Sequence, residues 1–182
     1  MIIGITGKNC SGKGEFAAYL KGAGYTYYSL SDEIREELKK NNIPESRESL
    51  IEMGNKLRSR YGPSGLADMV IKKIEPSKNY VIDSIRNPAE VVVLKKLPNF
   101  TLVEIRADDK IRYERMCSRN RCGDTHSFEK FIEQEKKEMN NENSTMQQLD
   151  KTIKMADVVL ENNGDIEKFH DKIKLCTSDL QS

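Results

Sequence analysis

Neither sign of charge prevails in this chain of 182 residues: 30 Lys and Arg stand against 29 Asp and Glu, for a formal net charge of +1. So even a balance gives no global field to draw the protein onto nucleic acid or a membrane surface, and any anion site must be local. Long apolar stretches are also missing. Residues 1–6 are apolar but run straight into a glycine loop, with no basic leader and no cleavage pattern. That pattern predicts a cytoplasmic protein that neither spans nor crosses a membrane. Cysteine is sparse, with Cys10, Cys117, Cys122 and Cys176 scattered along the chain, which favours reduced thiols. Cys117, Cys122 and His126 lack the C-x-x-C spacing and a clear fourth ligand, so they make a poor zinc site. No internal repeat is present, and the length suits one domain with its own core.

What is there is an alternation. Short runs rich in β-branched or aromatic residues at 2–6, 25–29, 80–83, 101–106 and 158–161 read as buried parallel strands. Charged, periodic stretches at 13–21, 32–41, 48–60, 65–74, 89–97, 110–119 and 128–139 read as helices. Strands and helices in turn imply right-handed crossovers and a five-stranded parallel sheet covered on both faces, a three-layer α/β/α sandwich. The polar segment 140–148 reads as a loop.

Directly after the first strand stands Gly7-Lys8-Asn9-Cys10-Ser11-Gly12-Lys13-Gly14, a match to G-x-x-x-x-G-K in the order strand, loop, helix that the motif requires. Gly7 and Gly12 permit turns that aim backbone N–H groups inward, and the following helix offers its positive end to phosphate. Lys13 supplies a cation for the β- and γ-phosphates. The motif predicts a P-loop NTPase fold that binds ATP through Gly7, Lys8, Asn9, Cys10, Ser11, Gly12, Lys13, Gly14 and Glu15. One position departs from the pattern. Where Ser or Thr would touch magnesium, Gly14 and then Glu15 stand, and Ser11 precedes the lysine and does not replace that hydroxyl. Mg2+ is then expected to be held through water by Asp83.

Asp83 closes the apolar strand 80–83, at the carboxyl end of the sheet where ligands of open parallel sheets bind. Its carboxylate can hold magnesium waters or orient the attacking phosphate, while Arg86 can bind an acceptor phosphate bidentately. A helix-capping Asp beside a solvated Arg is the plainer alternative. After the second strand, Ser29-Leu30-Ser31-Asp32-Glu33-Ile34-Arg35 reads first as a capped helix start, with Ser31 or Asp32 as the cap.

That last segment also resembles the adenylate kinase-like branch of P-loop nucleotide kinases, where Ser-x-x-Asp-x-x-Arg follows the second strand. The resemblance implies that Arg35 grips a monophosphate, with Asp32 beside it. Three further segments look like those of archaeal-type adenylate kinase-related proteins: Asp83-Ser84-Ile85-Arg86-Asn87-Pro88-Ala89-Glu90-Val91, Lys56-Leu57-Arg58-Ser59-Arg60-Tyr61-Gly62 and Lys110-Ile111-Arg112-Tyr113-Glu114-Arg115-Met116. The likeness runs from Met1 to about Phe169 and implies one P-loop kinase domain over 1–182, with a helical acceptor-binding insertion at 42–74 and a helical lid at 112–139. The lid carries Arg112, Arg115, Arg119 and Arg121, the first three on one helical face. In the resembled kinases lid arginines neutralise the γ-phosphate, which implies that role for Arg115 and Arg119; pairing of Arg115 with Glu114 is the plainer account. The ending Ala156-Asp157-Val158-Val159-Leu160-Glu161-Asn162-Asn163-Gly164 is similar to that of dephospho-coenzyme A kinases and implies that Asn163 frames adenine, although a plain turn explains Asn-Gly equally well.

The expected function is therefore transfer of the γ-phosphoryl group of ATP, with Mg2+, to a small phosphorylated molecule, a nucleoside monophosphate, without nucleic-acid or membrane partners. Dephospho-coenzyme A kinase is an alternative with Asp32 as base, although that family's Asp-x-Asp reads Leu30-Ser31-Asp32 here. An ATP-binding regulatory or assembly factor with weak ATPase activity is another, kept open by Gly14. Neither the acceptor's base nor the oligomeric state can be read from the residues.

Overall fold

A computed structural model describes residues 1–119, 127–139 and 142–180, with the side chains of 137 and 138 left aside. The strands are β1 (Ile2–Thr6), β2 (Thr26–Ser29), β3 (Tyr80–Asp83), β4 (Phe100–Arg106) and β5 (Val158–Glu161). Between and after them lie α1 (Lys13–Gly22), α2 (Leu30–Lys40), α3 (Arg47–Tyr61), α4 (Gly65–Ile71), α5 (Pro88–Leu94), α6 (Asp109–Arg119), α7 (Phe128–Met139), α8 (Leu149–Ile153) and α9 (Ile166–Asp179). The strands form one parallel sheet in the order β2-β3-β1-β4-β5. This is the three-layer α/β/α P-loop NTPase fold expected from the alternation.

The period of two along each strand divides the core. Ile2, Tyr80, Ile82 and Leu102 face α2, α3, α4 and α5 and pack with Leu30, Ile34, Met53, Leu57, Leu66 and Val91. Ile3, Ile5, Val81, Val103 and Ile105 face the opposite way, toward Phe16 and Leu20 of α1 and Phe169 and Ile173 of α9. Helices α8 and α9 are additions to the predicted set. Short α8 has too few turns for periodicity to show, and α9 follows the polar turn at which the strand pattern stops.

Parallel strands all end on the same rim, so the segments leaving β1, β2, β3 and β5 meet there. With β1 central between β3 and β4, the glycine loop and the Asp83 strand end are neighbours. Local chemistry fixes how the chain leaves this rim. Ser29 caps α2 through its Oγ and the Ser31 amide. Ser46 and Ser49 form a capping box on α3, as do Asn87 and Glu90 on α5, with Pro88 in its first turn.

Candidate active site

α1 starts without a side-chain cap, as α4 and α8 also do. α2, α3, α5 and α9 each carry a side-chain cap, whereas α1 begins at Gly12 without one. Its first-turn N–H groups are thus available to an anion. Gly12 has φ +111° and Gly7 φ +133°. A Cβ at Gly7 would stand 2.2 Å from the Ile105 carbonyl oxygen, and one at Gly12 2.2 Å from Asn162 Nδ2. Both positions therefore require glycine, for the backbone angle and for space.

Lys13, half-buried, folds back over this loop, its Nζ donating to the carbonyls of Gly7 (2.7 Å) and Lys8 (2.8 Å). Burial pushes it from the ordinary 10.5 down to about 8; Asp83 pulls it back up, and Arg86 and Arg112 press it further down. The β3 end thus lies within electrostatic reach of the loop. Asp83 Oδ2 accepts from the Tyr27 hydroxyl (3.2 Å) and Oδ1 from the Ser84 amide (2.5 Å). Burial and the Asp83 charge raise Tyr27 to about 12, so it stays a donor at neutral pH. Each carboxylate oxygen of half-buried Asp83 keeps lone pairs for water, a donor chemistry that fits Mg2+ held through its waters.

Other loop residues turn elsewhere. Lys8 Nζ lies 3.4 Å from Asp109 and 4.0 Å from Glu135. Ser11 is fully buried, its Oγ has no hydrogen-bond partner among the described residues, and its amide donates to the Lys8 carbonyl at 3.4 Å. Gly14 is open to solvent. Glu15, which follows it, is engaged with His170 Nε2 of α9 at 2.7 Å. Cys10 takes a positive φ of 58° and half-buried Cys117 is a free thiol. Cys122, His126 and Arg121 lie outside the described residues.

The lid arginines separate into three roles. Arg112, which shares a helical face with the others in sequence, is completely buried. It donates to Ala107 O, Asn9 O, Asp109 and both oxygens of Glu135 on α7. Arg115 reaches Asn162 O (3.0 Å), Asn162 Oδ1 (3.3 Å) and Ser11 O (3.4 Å). Arg119 lines an open groove of about 680 Å3 with Ile111, Glu114, Arg115, Asn163 and Gly164. The sequence reading sends Arg115 and Arg119 to the transferring phosphoryl group. In this conformation Arg115 instead holds the phosphate loop to the end of β5, and Arg119 stands with Asn163. The alternative Arg115–Glu114 ion pair does not form, since Arg115 turns to Ser11 and Asn162.

Asn162 is a residue the sequence reading passes over in favour of its neighbour. It is buried, and its Nδ2 donates to Ser11 O at 2.9 Å. Asn163 Oδ1 accepts from the Asp108 amide at 2.9 Å. Two adjacent asparagines look alike in sequence, and strand alternation, which turns successive side chains to opposite sides, is the signal that separates them.

On the other side of Asp83, Arg35 pairs with Asp32 (2.8 Å) and Glu45 (3.1 Å) at the protein surface. Arg86 Nη1 donates to Gln147 Oε1 at 3.3 Å. The Arg86 loop is held from below by Glu90, which is wholly buried and accepts from the amides of Arg86 (2.9 Å) and Asn87 (3.0 Å) through Oε2. Its Oε1 takes Arg58 Nε and Nη2, both at 2.8 Å. From above, Asn87 Nδ2 donates to the carbonyls of Ser144 and Met146. The Arg86 carbonyl accepts from the Gln148 amide. Arg58, Glu90 and Asn87 lie in segments that the resemblance covers, yet their long-range partners are 32 to 59 positions away and Gln147, 61 positions from Arg86, lies in none.

No helix of the described residues is long and apolar enough to cross a membrane. Residues 3–150 match the AAA domain family. A UPF0200 protein of Pyrococcus abyssi is 34% identical, the match covering 96% of this chain and 94% of that protein. Among solved structures, shikimate kinase from Aquifex aeolicus superposes with a TM-score of 0.58 at 14% identity, covering 98% of this chain and 97% of that one. A gluconokinase from Sinorhizobium meliloti does so with a TM-score of 0.58 at 13% identity, covering 98% and 91%. At such identities the two kinases are evidence for the shared fold alone.

Proposed function

Because this chain belongs to the AAA domain family and to the UPF0200 proteins, and has the fold of P-loop kinases, we propose that it moves the terminal phosphoryl group of ATP onto a nucleoside monophosphate. The observation that carries this reading is the meeting of four features on one rim of the sheet: an uncapped helix start, Lys13, Asp83 and Arg86. The loop from Gly7 to Glu15 cradles the ATP phosphates through backbone N–H groups, and Lys13 exchanges its carbonyl partners for phosphate oxygens. Asn163 and Arg119 border the groove for the base of ATP. Arg115 and Asn162 keep the loop in shape.

Asp83 would hold Mg2+ through water, and the ion, when bound, neutralises charge on the phosphates. Arg86 and Arg35 hold the acceptor's phosphate, Arg35 by leaving Asp32 and Glu45. An oxygen of that phosphate forms a bond to the γ-phosphorus as the bond to the bridging oxygen of ADP breaks. The adenylate kinase-like character of segments 29–35 and 83–91 supports a phosphate as acceptor in preference to a hydroxyl. Asp32, which a hydroxyl acceptor would need as a base, is bound to Arg35.

One observation favours a second reading. With Gly14 open to solvent and Glu15 tied to His170, no hydroxyl follows Lys13 to contact the ion, as suits a slow ATPase that signals through its nucleotide state. Coupled assays of ADP release with each nucleoside monophosphate, with dephospho-coenzyme A and with no acceptor separate the two. Acceptor-dependent turnover by the wild type, absent in Lys13→Ala with unchanged thermal unfolding, supports the kinase. ADP release indifferent to every acceptor supports the ATPase, and wild-type turnover in Lys13→Ala removes both.

A further inference from the structure

The turn that follows β3 is strained, and its neighbours on both sides enforce it. Ser84 takes φ +66°, in the left-handed region that a residue with a Cβ seldom adopts. Strain of this kind persists only where the surroundings over-determine it, and it gathers where a side chain has to be aimed. From β1, Thr6 Oγ1 donates to the Ile85 carbonyl at 2.9 Å. From β2, Ser29 Oγ donates to Ser84 Oγ at 3.0 Å, and the Tyr27 hydroxyl donates to Asp83 Oδ2 at 3.2 Å. Tyr27 and Ser29 stand two apart on one strand and so face the same side of the sheet, with Ser29 in register with Asp83.

Packing explains the ring of Tyr27 and leaves its hydroxyl unexplained. The ring lies against the core on the α1 side of the sheet, with Lys21 Nζ 5.6 Å from its centroid. A phenylalanine would fill that position equally well. The task of the hydroxyl is therefore read from its acceptor. Asp83 lies within electrostatic reach of the Lys13 ammonium, and a carboxylate free to rotate would turn toward a nearby cation. With Oδ1 on the Ser84 amide and Oδ2 on the Tyr27 hydroxyl, one orientation is fixed, and Lys13 stays on the carbonyls of Gly7 and Lys8.

We propose that Tyr27 is a positioning residue for phosphoryl transfer: its hydroxyl keeps the Asp83 carboxylate in the orientation that serves the waters of Mg2+, and off the Lys13 ammonium. This inference rests on the reading of Asp83 given above and adds the group through which the fold aims it. Tyr27 acts through Asp83 and touches neither nucleotide nor acceptor, so its loss changes rate and not binding.

The test compares wild type, Tyr27→Phe, Asp83→Asn and the double variant in two measurements. Tyr27→Phe removes one oxygen and keeps the ring, so its thermal unfolding should stay close to wild type. The first measurement needs no turnover. It is the electron paramagnetic resonance of Mn2+, in place of Mg2+, bound with ADP, whose line shape reports the surroundings of the ion. Tyr27→Phe should shift that line shape in the same direction as Asp83→Asn, and the double variant should match Asp83→Asn. The second is the maximal rate of ADP release in the coupled assays above. Tyr27→Phe should lower it about tenfold, the low end for loss of a partner that orients a metal-holding group, with the Michaelis constants for ATP and acceptor unchanged. Added to Asp83→Asn it should cost nothing further, whereas a tyrosine that merely stabilised the fold would cost the same in both backgrounds. A wild-type line shape or rate in Tyr27→Phe, where Asp83→Asn alters both, overturns the proposal and spares the reading of Asp83. So does a tenfold loss repeated in full beside Asp83→Asn. An Asp83→Asn line shape equal to wild type removes that reading and the inference together. If no assay shows turnover, both catalytic readings fall and the line shapes alone decide.

Discussion

Two buried arginine–glutamate pairs flank the sheet rim, and they differ in one respect. On the ATP side, Arg112 has every guanidinium N–H matched, by Glu135, Asp109, Ala107 O and Asn9 O. On the acceptor side, Arg58 is as deeply buried and just as firmly held by Glu90, yet leaves Nη1 unmatched. A guanidinium with no donor to spare cannot take a ligand without breaking structure. It serves as a pin, fixing the phosphate loop at Asn9 to α6 and α7. The Arg112 pair is therefore saturated, while the Arg58 pair leaves one buried donor unmatched among the described residues.

Breaking the pin should have the largest effect. Arg112→Met leaves buried Glu135 with only Lys8, 4.0 Å away, and thermal or chemical unfolding should show a loss of about 3–5 kcal/mol. Adding Glu135→Leu to that variant should restore a part of it, because the uncompensated charge is gone. Next comes the rim between the halves. Asp83→Asn should lower the maximal rate about a hundred- to a thousandfold with ATP binding by calorimetry close to wild type. Unchanged turnover would leave Asp83 a mere turn residue.

On the acceptor half the expected losses are smaller and one-sided. Arg86→Ala or Arg35→Ala should raise the acceptor's KM about ten- to a hundredfold, the worth of one charge-assisted bond, and leave ATP affinity unaltered. Lost ATP binding with normal acceptor dependence would exchange the two halves. The smallest effect is that of pH. With Lys13 lowered to about 8, its ammonium is present at neutral pH and lost as pH rises through that value. ATP affinity should fall between about pH 7 and 9, and that slope should vanish in Lys13→Ala. Stability moves the opposite way. The folded state binds fewer protons than the unfolded one between about 8 and 10.5, so the contribution of Lys13 to stability rises with pH across that window.

Legibility in the sequence followed the range of the interaction. All five strands and the phosphate loop were readable, because β-branched runs and glycine spacing act within a few residues. A capped start to α2 was readable for the same reason, but the cap is Ser29 and not Ser31 or Asp32, since the Ser29 hydroxyl takes the Ser31 amide and the helix begins two residues earlier than expected. Pairings across the chain were not. Arg112 sits on a helical face with Arg115 and Arg119, and nothing local says that Glu135, 23 positions on, will enclose it. Glu90 stands within a resembled segment, yet its task depends on Arg58, 32 positions earlier. Asn162 and Asn163 were separable in principle by alternation, but a strand of four residues gives that signal little length. Gln147 falls in a segment whose composition says only that it is a loop.

The bond from Asn162 Nδ2 to the Ser11 carbonyl spans 151 positions, and this separation bears on the order of events during synthesis. A ribosome delivers the glycine loop 151 positions before its clamp, at a rate of about 5–20 residues per second. For the several seconds between, the motif is complete as a string of letters but has no β5 to hold it. Nucleotide can then act as a late ratchet once β5 is in place, and not as a template for early folding. Limited proteolysis of stalled chains should show ATP protection appearing only once β5 has emerged.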